Sequence, residues 1–136
     1  MLDIQLWLKD AMEDLGMQLA IVSQVEGNHY RVVAAYSSLD LVRQGDEFEL
    51  DSTYCREVLR QAQTVAYERV GAITEMCLHP CYQALHLESY IGTPLEKDGK
   101  ILGTLNFSSL TARAAAFTEK EKTQVESLAK EYLASV

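Results

Sequence analysis

The stretch from Ser89 to Ser109, SYIGTPLEKDGKILGTLNFSS, holds two strand-like runs on either side of Glu96-Lys97-Asp98-Gly99. Asp-Gly tolerates the left-handed backbone of a tight hairpin turn, so the spacing predicts two antiparallel strands, 89–95 and 100–109. Side chains alternate between faces along a strand. In the second strand Ile101, Gly103, Leu105 and Phe107 share one face, and Leu102, Thr104, Asn106 and Ser108 share the other. The first face is apolar and asks for helices packed on it. The second carries an asparagine that needs partners once buried, which points to an enclosed space on that side. Pro94 cannot donate to a ladder and is expected at a bulge or an unpaired position.

Working outward, Thr118-Glu119-Lys120-Glu121 reads as a capping box with Phe117 before it. Val125, Leu128, Ala129, Tyr132, Leu133 and Val136 then recur at three and four residues along one helical face. At the other end, Leu2, Leu6, Leu8, Met12 and Leu15 give a helix over 2–15 that stops at Gly16. Residues 17–37 form a second hairpin pattern around Gly27-Asn28, with Leu19, Ile21, Ser23 and Val25 on one face of its first strand. In its second strand Val32, Ala34 and Tyr36 alternate with Arg31, Val33 and Ala35. Residues 38–50 read as a loop. Asp51 or Ser52 is placed to cap a short helix through Ala62, and 64–70 is a short strand. Residues 71–88 are irregular, with a short helix after Pro80. Paired hairpins without regular βαβ alternation predict an α+β fold with a central antiparallel sheet. The terminal helices would cover one face, and the loop and middle helix would cover a pocket on the other.

The chain has 136 residues, 48% hydrophobic and 24% charged, which fits a single domain over 1–136. Its formal charge of −8 repels phosphate backbones and anionic headgroups, so neither nucleic acid nor a membrane is an expected partner. Asp3, Lys9, Asp10, Glu13 and Asp14 interrupt the first apolar stretch, which reads as neither a signal peptide nor a span, and a cytoplasmic location is expected. Three cysteines, Cys55, Cys77 and Cys81, suggest free thiols rather than a disulfide framework.

The segment 89–109 followed by FTEKEKTQVESLAKEYLA resembles the second half of a GAF domain, and DSTYCREVLRQAQTVAYERV (51–70) looks like that family's middle helix and following strand. The likeness spans essentially the whole chain. It implies a sensory module with a small-molecule pocket on the loop-covered face. It also implies a homodimer through the terminal helices and an output domain, fused or separate. The ligand is left unknown. Ligand binding would rearrange residues 70–88 and shift the terminal helices.

The residues expected to line the pocket are Tyr54, Cys55, Tyr90, Thr93, Thr104 and Asn106, within a tyrosine-rich set that also includes Tyr36, Tyr67 and Tyr82. Three other chemistries compete with ligand sensing. Cys77-Leu78-His79-Pro80-Cys81 offers soft ligands for zinc, with Cys55 or His86 to complete the set, but lacks a second ordered pair. Bilin-binding GAF domains place a histidine directly after the attachment cysteine, where Leu78 stands here. Free methionine-R-sulfoxide reductases share the fold and act through thiolates, which would pair Cys55 with Cys77 or Cys81. Their Gly-His-Ile-Ala-Cys-Asp segment is absent.

Overall fold

The computed structural model describes residues 2–38, 40–74, 76 and 79–136. Asp98 and Gly99 both adopt positive φ, 55° and 78°, which is the primed turn the Asp-Gly pair favours. That turn joins β5 (Ser89–Lys97) to β6 (Lys100–Ser109). The second hairpin joins β1 (Leu19–Glu26) to β2 (His29–Ser37), and β1 pairs with β6 to fuse the two. Short edge strands β3 (Glu47–Glu49) and β4 (Val65–Tyr67) complete a sheet of order β3-β2-β1-β6-β5-β4, and all five pairings are antiparallel. Pro94 lies beyond the β4 ladder, which stops at Gly92, and just before a register shift at Leu95/Glu96, where a missing donor does no harm.

Directly paired residues share a face, so the register sorts the side chains. Ala20, Phe107 and Ile91 lie in one row, and Val22, Leu105 and Thr93 in the next. This face packs on α1 (Ile4–Leu15) and α4 (Glu119–Ser135), with Leu8, Met12, Leu15, Val125 and Ala129 completing its core. The two helices meet where Trp7 Nε1 donates to Glu131 at 3.2 Å and its ring stands 6.2 Å from that of Tyr132. The last helix begins as the sequence indicates, with Thr118 and Glu121 exchanging the two bonds of a capping box. The first starts at Ile4 instead of residue 2, because Asp3 accepts from the Leu6 N–H and caps it there.

Three further expectations need correction. A bulge at Val33 shifts the β1–β2 register between Val22/Ser23, so Val32 faces the side away from the terminal helices while Ala34 and Tyr36 face the helices. Residues 38–50 are not all loop, because Glu47–Glu49 pairs with β2. Neither Asp51 nor Ser52 caps the middle helix. A 3-10 turn, Leu50–Ser52, precedes it, and α2 (Cys55–Gln61) starts at Tyr54 without a side-chain cap. A second 3-10 turn, Val70–Ala72, and α3 (Pro80–Leu85) lie between β4 and β5. Among the described residues no helix is long and apolar enough to cross a membrane.

Candidate functional site

On the face away from the terminal helices the opposing rows are Leu19, Ser108 and Tyr90; Ile21, Asn106 and Gly92; and Ser23, Thr104 and Pro94. The middle helix is laid across these rows, and its first-turn residue Cys55 points its thiol into the polar one. The sulfur lies 3.1 Å from Tyr90 OH and 3.2 Å from Thr104 Oγ1, and it accepts from Asn106 Nδ2 at 3.3 Å. Tyr30 OH is also within reach, at 3.7 Å. Asn106 Nδ2 further approaches Thr104 Oγ1 at 3.1 Å and Tyr30 OH at 3.3 Å, and Thr104 Oγ1 shares a hydrogen with Ser23 Oγ at 2.7 Å. A buried asparagine, two tyrosines, a threonine and a thiol thus satisfy one another, as enclosed polar groups must. The Asn106 carbonyl Oδ1 keeps acceptor capacity after these bonds.

Gly92 makes the arrangement possible. Tyr90 leans along its own strand, and a Cβ at position 92 would lie 2.2 Å from the Tyr90 hydroxyl. Without that carbon the ring lies flat over the strand and its hydroxyl reaches Cys55.

Above the network lies a cavity of about 70 Å³. Leu19, Ile21, Val42, Phe48 and Leu87 supply apolar wall, and Tyr54, Cys55, Cys81, Tyr90, Asn106 and Ser108 supply thiols and hydrogen-bonding groups. Its cover is fastened at both ends. Tyr54 OH donates to the Leu87 carbonyl at 2.8 Å. The Glu88 carboxylate accepts from the Gly71 N–H and from Tyr82 OH, each at 2.9 Å. His79 Nδ1 accepts from the Cys81 N–H at 3.0 Å and so caps α3. That places the ring hydrogen on Nε2, which is buried without a partner among the described residues, and the ring stands edge-on to Tyr54 at 5.1 Å. Below the cover, the Arg113 N–H donates to the Glu68 carbonyl at 2.9 Å. Its guanidinium grips Glu121 at 2.9 and 3.0 Å and lies 3.9 Å over the Phe117 ring.

Burial dominates the ionisation of the site. It raises the Cys55 thiol above its ordinary range although Thr104, Tyr90 and Tyr30 pull the other way, and it raises Tyr30, Tyr54 and Tyr90 as well. Cys81 is pushed up to about 12 by burial and by its proximity to Cys55. His79 is lowered by burial and by Arg56. At neutral pH both thiols are protonated and the imidazole is neutral.

Of the residues read from the sequence, Tyr54, Cys55, Tyr90 and Asn106 line the cavity, and Thr104 sits behind them, bonded to Cys55 and Asn106. Thr93 does not. Its parity is that of Ile91 and Leu95, and it faces the helix side, where its hydroxyl bonds Thr64 at 2.9 Å. Tyr36 is on that side too, turned there by the Val33 bulge, whereas Tyr67 and Tyr82 pack against the chamber-side core. Tyr30 and Ser108 are wall residues that sequence reading passed over. Ser108 belongs to the polar row already recognised, while Tyr30 is identified only through its pairing with Val25. Cys77 lies outside the described residues. Among the described residues no three His, Cys, Asp or Glu side chains group to hold a metal ion, and Cys55 and Cys81 are free thiols.

A family model described as GAF domain matches residues 5–132. No protein of curated function matches the chain. Among solved structures, the phycocyanobilin-bound GAF domain of a cyanobacterial phytochrome is 14% identical, with a TM-score of 0.77 over 97% of this chain and 81% of that one. The blue-light absorbing form of the PixJ GAF domain of Thermosynechococcus elongatus is 19% identical, with a TM-score of 0.72 over 97% and 89%. The type II free methionine-R-sulfoxide reductase of Thermoplasma acidophilum is 17% identical, with a TM-score of 0.71 over 93% and 84%. Identities this low establish a shared fold and not a shared chemistry. With a family model running nearly end to end and the sheet, helices and covered chamber all in place, this chain belongs to the GAF domain family.

Proposed function

We propose that this domain is a regulatory sensor that binds a small molecule in the chamber over Asn106 and relays its occupancy through α1 and α4. The observation that carries the reading is the buried polar row of β6, in which Asn106 and Ser108 line a covered cavity and Thr104 stands behind them, bonded to Cys55 and Asn106. A sheet face needed only for stability would carry aliphatic side chains there, as the opposite face does. Relay through the terminal helices is supported by Arg113, which joins the Glu68 carbonyl to the first turn of α4. In the same reading the domain acts in the cytoplasm as a homodimer through those helices, and an output domain reads their position.

The reductase reading places Cys55 and Cys81 on one cavity, which the geometry allows. Both thiols are held protonated at neutral pH, and a thiol is a poor nucleophile beside its thiolate. A tetrapyrrole is disfavoured by volume, since about 70 Å³ is far below the roughly 300–1,000 Å³ that drug-sized ligands occupy.

Native mass spectrometry of the purified protein tests the sensor directly. A retained small molecule is expected, and its presence should slow hydrogen exchange in Val70–Ala72 and α3, with a weaker echo in α4. Turnover of free methionine sulfoxide, or a ligand that protects only the surface away from the chamber, would overturn the proposal.

A further inference from the structure

The chamber wall is unusual in what it lacks. Among the described residues fifteen line it, and none of these is Asp, Glu, Lys, Arg or His. Two carboxylates on the elements around it are engaged elsewhere. Glu57 is held by Arg56 at 2.9 Å and by Arg60 at 3.6 Å, and Glu88 is committed to Gly71 and Tyr82. His79 spends Nδ1 on the Cys81 N–H and does not reach the cavity.

A charged ligand entering this space would shed its hydration and meet no opposite charge, so its desolvation would go uncompensated. A neutral molecule meets a better match. Leu19, Ile21 and Leu87 offer contact for an apolar body, and the Asn106 amide and Ser108 hydroxyl offer one hydrogen-bonding pole. The volume sets the scale. A cavity of ~150 Å³ accepts benzene, and this one is about half that.

From these features, and resting on the sensor reading, we infer that the chamber selects a compact, uncharged ligand of a few heavy atoms with a single hydrogen-bonding head placed at Asn106 and Ser108. Small amides, alcohols and carbonyl compounds belong to this class. Cyclic nucleotides, amino acids and carboxylates do not.

Propionamide, propionate and propylammonium form a nearly isosteric series that separates charge from shape. Each is titrated into isotope-labelled full-length protein and followed by amide and asparagine side-chain NMR shifts. The expected result is saturable shifts from propionamide at Asn106, Cys55 and Tyr90, with propionate and propylammonium at least about 10-fold weaker. In the Asn106→Asp variant, checked for fold by circular dichroism, the preference should move toward propylammonium, because the isosteric change adds the missing charge. Equal or tighter binding of propionate to the wild-type chamber overturns the inference and leaves the sensor standing. Failure of every probe to shift the chamber residues, together with no retained molecule in the mass spectrum, removes both.

Discussion

Leu105 and Asn106 are adjacent in β6 and both are sealed from solvent, yet they belong to opposite kinds of interior. Leu105 sits with Phe107, Ile91, Val22 and the two terminal helices, where only shape and volume matter. Asn106 sits with Cys55, Thr104 and Tyr30, where each group is held by direction as well as contact. The first interior is a keel: close packing tolerates little rearrangement, and each lost methylene is felt. The second can change partners, because one hydrogen bond replaces another at small net cost. A single sheet keeps the two apart by alternation alone.

The sharpest way to break this comparison is to truncate equivalent positions on each face. Phe107→Ala should cost about 3–5 kcal/mol in a denaturant titration, since it removes a fully buried ring between sheet and helices. Asn106→Ala should cost less, about 1–3 kcal/mol, because it leaves Tyr30 and Thr104 short of a partner in a cavity where water can substitute. If the two losses are equal, the chamber side is packed like the helix side and the distinction fails. Removing the Tyr54 hydroxyl is gentler still. Tyr54→Phe deletes one bond to the Leu87 carbonyl and should cost roughly 1 kcal/mol, with faster hydrogen exchange in α3 and no change in α1.

The smallest effect is one of pH. His79 has its ionisation lowered in the folded state by burial, so the unfolded chain takes up its proton first as pH falls. Stability should therefore decline from pH 7 downward once the ordinary value of 6.5 is passed, and level off below the depressed folded value. His79→Asn keeps an acceptor for the Cys81 N–H but cannot titrate, so this component of the slope should vanish from its stability profile. An unchanged slope would show that His79 is not the group responsible.

How much of this was legible beforehand depends on how local the information is. The Asp98-Gly99 turn, the capping box at Thr118 and the alternation in β6 are written in consecutive residues, and the structure bears them out. Three features were hidden because they depend on distant partners. The Val33 bulge exists only relative to β1, and it reverses the facing of Ala34 and Tyr36. Three-residue β3 gains its identity from β2. The middle helix starts late because Thr53 bonds back to the Leu50 carbonyl, through both N–H and hydroxyl, and so closes a 3-10 turn that the sequence presents as a cap. Within the site, Asn106 was visible as a polar residue in a strand row. Thr93 was misplaced although Ile91 and Leu95 declare its parity. Tyr30 and Cys81 come to the chamber from separate elements, by routes no local pattern encodes.

Arg113 carries a consequence beyond its place in the packing. The eight residues from Leu110 to Phe117 between β6 and α4 lie outside regular structure, and a slack tether there would let α4 settle independently of the sheet's far edge. By bonding Glu68 with its backbone and Glu121 with its guanidinium, Arg113 turns that tether into a crank with fixed arms. Glu68 stands two residues before the 3-10 turn that Glu88 latches, so a displacement of the chamber's roof would reach the start of α4 as a push with direction, not as slack taken up on the way.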